Sequence, residues 1–403
     1  MVKIAVLGYG TVGSGVVRVL NTNHDNINTR AGQQIDIKYI LDLRDFEGDP
    51  VQEKIVHDYD IILKDEEIKI VVEVMGGVEP AYTYVKSALE HGKSVCTSNK
   101  ELVARHGAEL LELAKKKQLN FLFEASVGGG IPIIRPLNNS LTADEITDIK
   151  GILNGTTNYI LSKMSREGLD FDTALKDAQD RGYAERNPEA DVEGFDACRK
   201  IAILSSLAYG MQVDFEDIQT EGITKITKED IAYAKKLDAG IKLIGSSKKV
   251  DGDIYAFVAP MLLSNSHPLM GVNDVFNAIF VKGNVLGDVM FYGQGAGSLP
   301  TASAVVSDVV DAVKHMGTNI MSIWCTEKLE LADIKQSENR YFVRVKGAGK
   351  EDSVKSAFGE VTFVVLDDKK DETAFLTDSI KECDFDSKIA AVGEVINCIR
   401  ADF

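Results

Sequence analysis

Cysteine is scarce and unpaired in this chain: Cys96, Cys198, Cys325, Cys383 and Cys398 are five in 403 residues, with no C-x-x-C spacing. An odd, scattered set excludes a disulfide framework and fits a reducing compartment, so a cytoplasmic protein is expected. The six histidines are dispersed as well and show no zinc-ligand spacing. No apolar run is long enough to span a bilayer, and Met1-Val2-Lys3 enters an apolar strand directly, without a secretory leader. Positive charge is in deficit: 45 lysines and arginines against 62 acids give a net charge of -17. That sign disfavours nucleic acid and anionic membranes as partners. What remains, 44% apolar and 27% charged residues, is the composition of a globular protein of two or three domains.

The amino-terminal stretch carries the first motif. Ile4-Ala5-Val6-Leu7 reads as a strand, Gly8-Tyr9-Gly10-Thr11-Val12-Gly13 follows at once, and Val16, Val17, Val19 and Leu20 continue at helical spacing. Between a strand and a helix, G-x-G-x-x-G is a dinucleotide cradle: Gly8 for the turn, Gly10 for pyrophosphate approach, Gly13 for close packing. The helix N-terminus then offers free N–H groups to phosphate. A polar insertion, Asn21 to Gln34, precedes the second strand, Ile35 to Leu41. Asp42 beyond it suits a ribose hydroxyl of NAD, whereas Arg44 suits the 2′-phosphate of NADP, and both cofactors stay open.

Further strands are expected at Ile68–Val74, Ser94–Thr97 and Asn120–Phe123, with helices up to Glu90 and over Leu102–Lys117. This alternation predicts a parallel, doubly wound sheet of the Rossmann type, with ligands beyond the carboxyl ends of its strands. Gly76, Gly77, Ser98, Lys100 and Glu124 fall there. Glu124 to Pro132 leaves the sheet through Gly128-Gly129-Gly130. Bare backbone of this kind can converge carbonyls on a hard cation beside Glu124, or can serve as a flexible exit to the next domain.

Beyond it, a strand is expected over Glu145–Leu153, then Asn154-Gly155-Thr156-Thr157-Asn158 at the start of a helix Tyr159–Ser165, and a second helix over Asp172–Arg181. Strands at Ile254–Val258, Ala278–Val281 and Val285–Tyr292, with a turn at Gly283-Asn284, predict an antiparallel sheet. A second glycine-rich loop, Gly293 to Ser298, precedes a helix over Pro300–His315.

The stretch Gly182 to Lys200 is the most informative. It opens as a loop and closes as a helix in which Asp196, Lys200, Ile203 and Leu207 share a face. Apolar residues surround the helix, so Lys200 is expected to be poorly solvated. Burial disfavours its ammonium and Asp196 favours it, a balance that suits proton transfer. The plainer reading is an i,i+4 ion pair or an N-cap. Glu185, Asp191 and Glu193 lie just upstream, and carboxylates beside a lysine suit a substrate bearing its own ammonium.

These motifs resemble those of homoserine dehydrogenase, up to about Trp324. The most specific are Gly151 to Leu161 and Gly182 to Lys200, supported by Gly8–Gly13, Val74–Gly77, Ser98–Lys100, Glu124–Pro132 and Gly295–Gly297. The resemblance implies reversible NAD- or NADP-linked reduction of L-aspartate 4-semialdehyde to L-homoserine, in threonine, methionine and isoleucine biosynthesis. It implies Lys200 as proton donor, Asp196 as its orienting partner, and Lys100 at the junction of substrate and cofactor. Glu185, Asp191, Asn154 and Thr156 are implied to line the substrate site. Gly8, Gly10, Thr11, Val12, Gly13, Arg44, Ser98, Lys100 and Gly297 are implied to line the cofactor site. Glu124, Val127, Gly129 and Ile131 match a monovalent cation site, sodium being the candidate. A homodimer or higher homo-oligomer is implied.

The expected architecture is α/β. A dinucleotide-binding domain (1–130, completed by helix 299–320) is followed by an α+β substrate and dimerisation domain (131–298) and a small α+β module (338–403). The tail reads β-α-β-α-β, with Glu372 to Glu382 as its second helix, and resembles an ACT-type regulatory module lacking one strand. Two rival functions are an acylating semialdehyde enzyme using Cys198 and a non-catalytic sensor of nucleotides and amino acids.

Overall fold

A computed structural model describes all residues, 1–403. Its first sheet is built from β1 (Val2–Leu7), β2 (Ile35–Leu41), β3 (Ile55–Val56), β4 (Ile68–Glu73), β5 (Ser94–Thr97) and β6 (Phe121–Leu122). The order is β3-β2-β1-β4-β5-β6 and every pairing is parallel. Strand order reverses at β1, which opens a crevice beyond the carboxyl ends of β1 and β4. β1 and β4 are buried almost throughout, as strands covered on both faces must be, hence their near-continuous apolar sequence. The polar insertion is itself a helix, His24–Ala31, stopped by Gly32 in the left-handed conformation.

One face of this sheet is closed by two helices distant in sequence, Thr11–Thr22 and Ser298–Lys314. Val16, Val17 and Leu20 pack in one core with Ala302, Val305 and Val309. Their approach depends on Gly15, where a Cβ would lie 2.7 Å from Ser298 Oγ. The later helix ends at Lys314, short of the expected limit, because its apolar stripe runs out at Ala312 and Val313.

The second sheet contains β7 (Ile146–Ile152), β8 (Gln219–Thr220), β9 (Ala239–Val250), β10 (Asp253–Ser264), β11 (Phe276–Gly283) and β12 (Gly287–Gln294). It continues into the tail through β13 (Glu338–Lys346), β14 (Thr362–Val364), β15 (Glu372–Leu376), β16 (Ile380–Lys381) and β17 (Val395–Asp402). The main order is β12-β11-β7-β9-β10-β17-β13-β15-β14. It is antiparallel as expected except along β10, where β8 and β17 pair in parallel. The helix expected at Tyr159–Ser165 runs Gly155–Glu167, and the next is Phe171–Asp180. Helix Phe195–Tyr209 lies between β9 and helix Lys100–Lys117, so it bridges the two sheets.

The tail differs from its expected pattern. Glu372 to Leu376 is a strand, the second helix is Glu382–Ile389, and apart from the two-residue β16 the order becomes β-α-β-β-α-β. That is the ferredoxin-like succession, and β15 is the strand thought to be missing. Thr373 to Leu376 are all buried, so packing on both faces outweighs the helix-favouring acids around them. Arg344 of β13 fastens the tail to the rest of the chain. Its guanidinium lies 2.8 Å from Asp230 of helix Lys228–Lys236 and 2.8 Å from Glu372, all three buried.

Candidate active site

The cofactor cradle forms where β1 turns into helix Thr11–Thr22. Gly8 sits at φ +99°, closed to most side chains, and a Cβ on Gly13 would lie 2.0 Å from the Gly8 carbonyl oxygen. Around Gly10 nothing lies within 4 Å of a Cβ position, so its backbone is open to a ligand. The helix has no side-chain cap, which leaves its first amides free for phosphate. Thr11 is exposed and Val12 partly so.

Asp42, at the end of β2, accepts from the Tyr9 amide at 2.8 Å and from Arg44 Nε at 3.0 Å. The Arg44 guanidinium, with the Tyr9 and Arg44 amides, holds its carboxyl well below the usual carboxylate range. Arg44 itself is 61% exposed and stands over the Phe46 ring at 5.0 Å.

A buried clasp that the sequence did not reveal ties the next two strand ends together. Glu73, fully buried at the end of β4, accepts from the Met75 amide at 2.8 Å and from Thr97 Oγ1 at 2.6 Å. Asn99 caps helix Lys100–Lys117 through Leu102 N at 3.1 Å and donates to the Gly77 carbonyl at 2.6 Å. Loops 74–77 and 97–99 are thereby fixed side by side, with Ser98 partly exposed between them. The only early signal was their shared position beyond the strand ends. Lys100 is the first residue of its helix, where the dipole disfavours a cation. A carboxylate offsets that cost.

That carboxylate is Asp196. Helix Phe195–Tyr209 starts after Gly194, which takes the left-handed conformation, and Asp196 is in its first turn, suited to the helix dipole. Asp196 is 3% exposed, and Lys200, one turn on, donates to its Oδ2 at 2.7 Å and to the Leu153 carbonyl at 2.8 Å. Lys100 meets the other oxygen of the same carboxylate. Asn154, at the end of β7, donates to Asp196 at 2.9 Å and to Asp191 at 2.7 Å while capping its own helix through Thr157.

The two lysines diverge electrostatically. Burial pulls Lys200 below the ordinary lysine value, helped by Lys100 and opposed by Asp196. Lys100 also loses solvation, but Asp196 overcomes that and raises it. Asp196 is desolvated too, yet the two ammonium groups hold its carboxyl down. Asp191 is pushed up by burial and by Asp196 beside it.

Of the upstream acids only Asp191 joins this cluster. Glu185 is exposed, and its recorded contact is a carbonyl that accepts from Gln179 at 3.2 Å. The Thr156 hydroxyl donates to the Tyr183 carbonyl at 2.6 Å, anchoring that loop over the helix start. Cys198 is buried with its thiol 3.2 Å from the Phe215 carbonyl, and burial pushes its pKa up, the opposite of a reactive nucleophile. The cysteine-based rival fails on that ground.

Glu124 uses its carboxylate on three amides, Ile133 at 2.6 Å, Ile134 at 2.8 Å and Arg135 at 2.9 Å. Downstream, the Gly128 carbonyl accepts from Ile131, while those of Val127, Gly129 and Ile131 accept no recorded hydrogen bond. The two glycine-rich loops touch: a Cβ on Gly129 would lie 2.4 Å from the Gly295 carbonyl oxygen. Gly297, exposed, begins helix Ser298–Lys314 beside the cradle, where Ser298 Oγ donates to the Thr11 carbonyl at 2.6 Å.

Known proteins resemble this chain over most of its length. A family model described as homoserine dehydrogenase matches residues 132–310, and one described as its NAD binding domain matches 8–124. Homoserine dehydrogenase of Bacillus subtilis (strain 168) is 45% identical over 320 residues, 78% of this chain and 73% of the relative. That of Helicobacter pylori (strain ATCC 700392 / 26695) is 43% identical over 345 residues, 85% of this chain and 81% of the relative. A crystal structure of a homoserine dehydrogenase from Thiobacillus denitrificans aligns with TM-score 0.92 at 34% identity, covering 100% of this chain and 98% of that one. A hyperthermophilic archaeal homoserine dehydrogenase in complex with NADPH aligns with TM-score 0.66 at 30% identity, covering 77% and 97%. A non-catalytic sensor is thereby set aside: with a dinucleotide cradle on one side and a shared lysine–carboxylate cluster on the other, the chain belongs to the homoserine dehydrogenase family of NAD(P)-dependent oxidoreductases.

Proposed function

We propose that Lys200 gives a proton to the aldehyde oxygen as L-aspartate 4-semialdehyde becomes L-homoserine, and recovers it in the reverse direction. The observation that carries this reading is one buried carboxylate, Asp196, shared by two lysines whose pKa values move apart. Groups pushed apart in this way divide acid–base from electrostatic work. Lys200, the lowered one, exchanges the proton. Lys100, the raised one, stays cationic and stabilises negative charge growing on the oxygen. Lys200 spends two recorded N–H bonds on Asp196 and Leu153, which fixes its direction and leaves a third for the substrate. Bound NAD(P)H supplies the hydride that reaches the carbon.

Asp191 meets the substrate ammonium, with Asn154 orienting both acids. The amides of Gly155 and Thr156, at the start of their helix, receive the substrate carboxylate. Glu185, exposed on the loop that Thr156 anchors through Tyr183, is the second acid of the substrate side. The cofactor lies along Gly8, Gly10, Thr11, Val12 and Gly13, with Ser98 and Gly297 flanking it. Asp42 is nearly inaccessible and accepts from Tyr9 and Arg44, whereas the Arg44 guanidinium stays exposed, so Arg44 is better placed for a 2′-phosphate, and NADP is the favoured partner.

The unpaired carbonyls of Val127, Gly129 and Ile131, near Glu124, are hard oxygen donors and fit a monovalent cation such as sodium, which would brace the junction of the glycine loops. The tail is read as an ACT-like module on its β-α-β-β-α-β order. A homodimer is proposed, with the exposed Met290 and Tyr292 of edge strand β12 as surface for a second copy. Mixing the protein with L-homoserine and either oxidised cofactor tests the reaction. Growth of the reduced-nicotinamide absorbance is expected, faster with NADP; no growth with either cofactor would contradict the reading.

A further inference from the structure

The tail strand β17 and the short strand β8 share one edge of β10. β8 pairs beside Phe257 and Val258, and β17 beside Met261 to Leu263. Arg400 of β17 is buried and is already held by Glu382 at 2.8 Å within the tail. It nevertheless reaches a second carboxylate, Glu221, at 2.7 Å. Glu221 follows β8 directly, and its amide donates to the Val258 carbonyl at 2.7 Å.

The residues after Glu221 bear on the substrate side of the site. The Ile223 amide donates to the Val192 carbonyl at 2.8 Å, and a Cβ on Gly222 would lie 2.4 Å from that same oxygen. Gly194, with a Cβ position 3.1 Å from Thr220, completes the turn between Asp191 and Asp196. The helix bearing Asp191, Glu189–Val192, is a single turn with no side-chain cap. Such a turn does not hold itself. Its position is set by what packs on it: helices Phe195–Tyr209 and Gly155–Glu167, Asn154 on Asp191 itself, and segment 219–223 through the Val192 carbonyl.

We propose that Glu221 and Arg400 are positioning residues through which the carboxy-terminal tail sets the place of Asp191, and so the affinity for homoserine. Arg400 is charge-balanced by Glu382 alone. Its bond to Glu221 therefore adds a clamp along that edge of β10, between β17 and the end of β8, rather than neutralisation. Nothing in this chain of contacts touches the Gly8–Gly13 cradle, so cofactor affinity is independent of it. The inference rests on Asp191 being the substrate-side acid proposed above.

Steady-state kinetics of Glu221→Ala, Glu221→Gln and Asp191→Asn, on the full chain, test it. Glu221→Ala is expected to raise the KM for homoserine about fivefold, with the cofactor KM unchanged. Glu221→Gln keeps an oxygen acceptor for Arg400 and is expected to recover most of that loss. An unchanged homoserine KM in Glu221→Ala, an equal rise in the cofactor KM, or no recovery with Gln overturns the proposal. If Asp191→Asn leaves the homoserine KM unaltered, the substrate reading beneath it is what fails.

Discussion

Lys200 stands one helical turn after Asp196 and donates to its Oδ2 at 2.7 Å, a pairing enclosed by apolar residues on most sides of the helix. Asp196 raises the lysine that burial lowers. Replacing Asp196 with Asn keeps the shape and removes that support, so Lys200 becomes neutral at lower pH. Aldehyde reduction, which needs the ammonium, should fall by roughly 10²-fold at neutral pH. The rising limb of homoserine oxidation, which needs the free amine, should move to lower pH. A full pH profile in both directions checks this.

Arg44 is expected to decide between the two dinucleotides. Arg44→Ala should raise the KM for NADP by about tenfold or more, the worth of a charge-assisted hydrogen bond. The KM for NAD should change little or fall, because Asp42 is freed for a ribose hydroxyl.

Arg344 lies between Asp230 and Glu372, all three nearly inaccessible. Arg344→Ala strands two buried carboxylates and should cost roughly 3–5 kcal/mol in urea unfolding. An Arg344→Met, Asp230→Asn, Glu372→Gln triple variant removes all three charges and should lose far less.

Lys242 is buried beneath helix Gly155–Glu167 and donates to Asn158 at 3.0 Å, with no carboxylate among its hydrogen-bond partners. Burial lowers its pKa to about 8, Arg166 lowering it further and Asp274 opposing. The unfolded chain, with a lysine near 10.5, therefore binds more protons than the folded one between about pH 8 and 10.5. Stability gains from this residue as pH rises through that window and is penalised below it. The stability difference between wild type and Lys242→Met should shift by on the order of 3 kcal/mol across the window. A flat difference would mean the ammonium is retained.

Local signals made the first strand and its glycine turn legible, as they did the loop-to-helix stretch ending at Lys200, because the chemistry there sits within a few consecutive residues. Asn154 was visible as a cap but not as the bridge between Asp191 and Asp196, since those contacts arise only when β7 meets a helix far along the chain. Glu73 was hidden in an apolar run, where a buried acid looks like a strand residue until its partners at Met75 and Thr97 are seen. Of the paired twelve-residue strands, β9 was not read at all and β10 only over Ile254–Val258. Both are buried for most of their length and so lack the alternation that marks a half-exposed strand. The tail helix was misplaced for a related reason. Acids around Glu372 favour helix locally, yet β15 is claimed by β13 and β14 on either side.

The single-turnover rate of homoserine oxidation, measured beside cofactor binding in Lys200→Ala and Lys100→Ala, tests the central claim most directly. The account predicts a loss of at least about 10²-fold in Lys200→Ala, with cofactor affinity unchanged and the pH-dependent limb abolished. Lys100→Ala should be impaired but keep that limb. A Lys200→Ala enzyme turning over within a few-fold of wild type, with its pH profile intact, would contradict it.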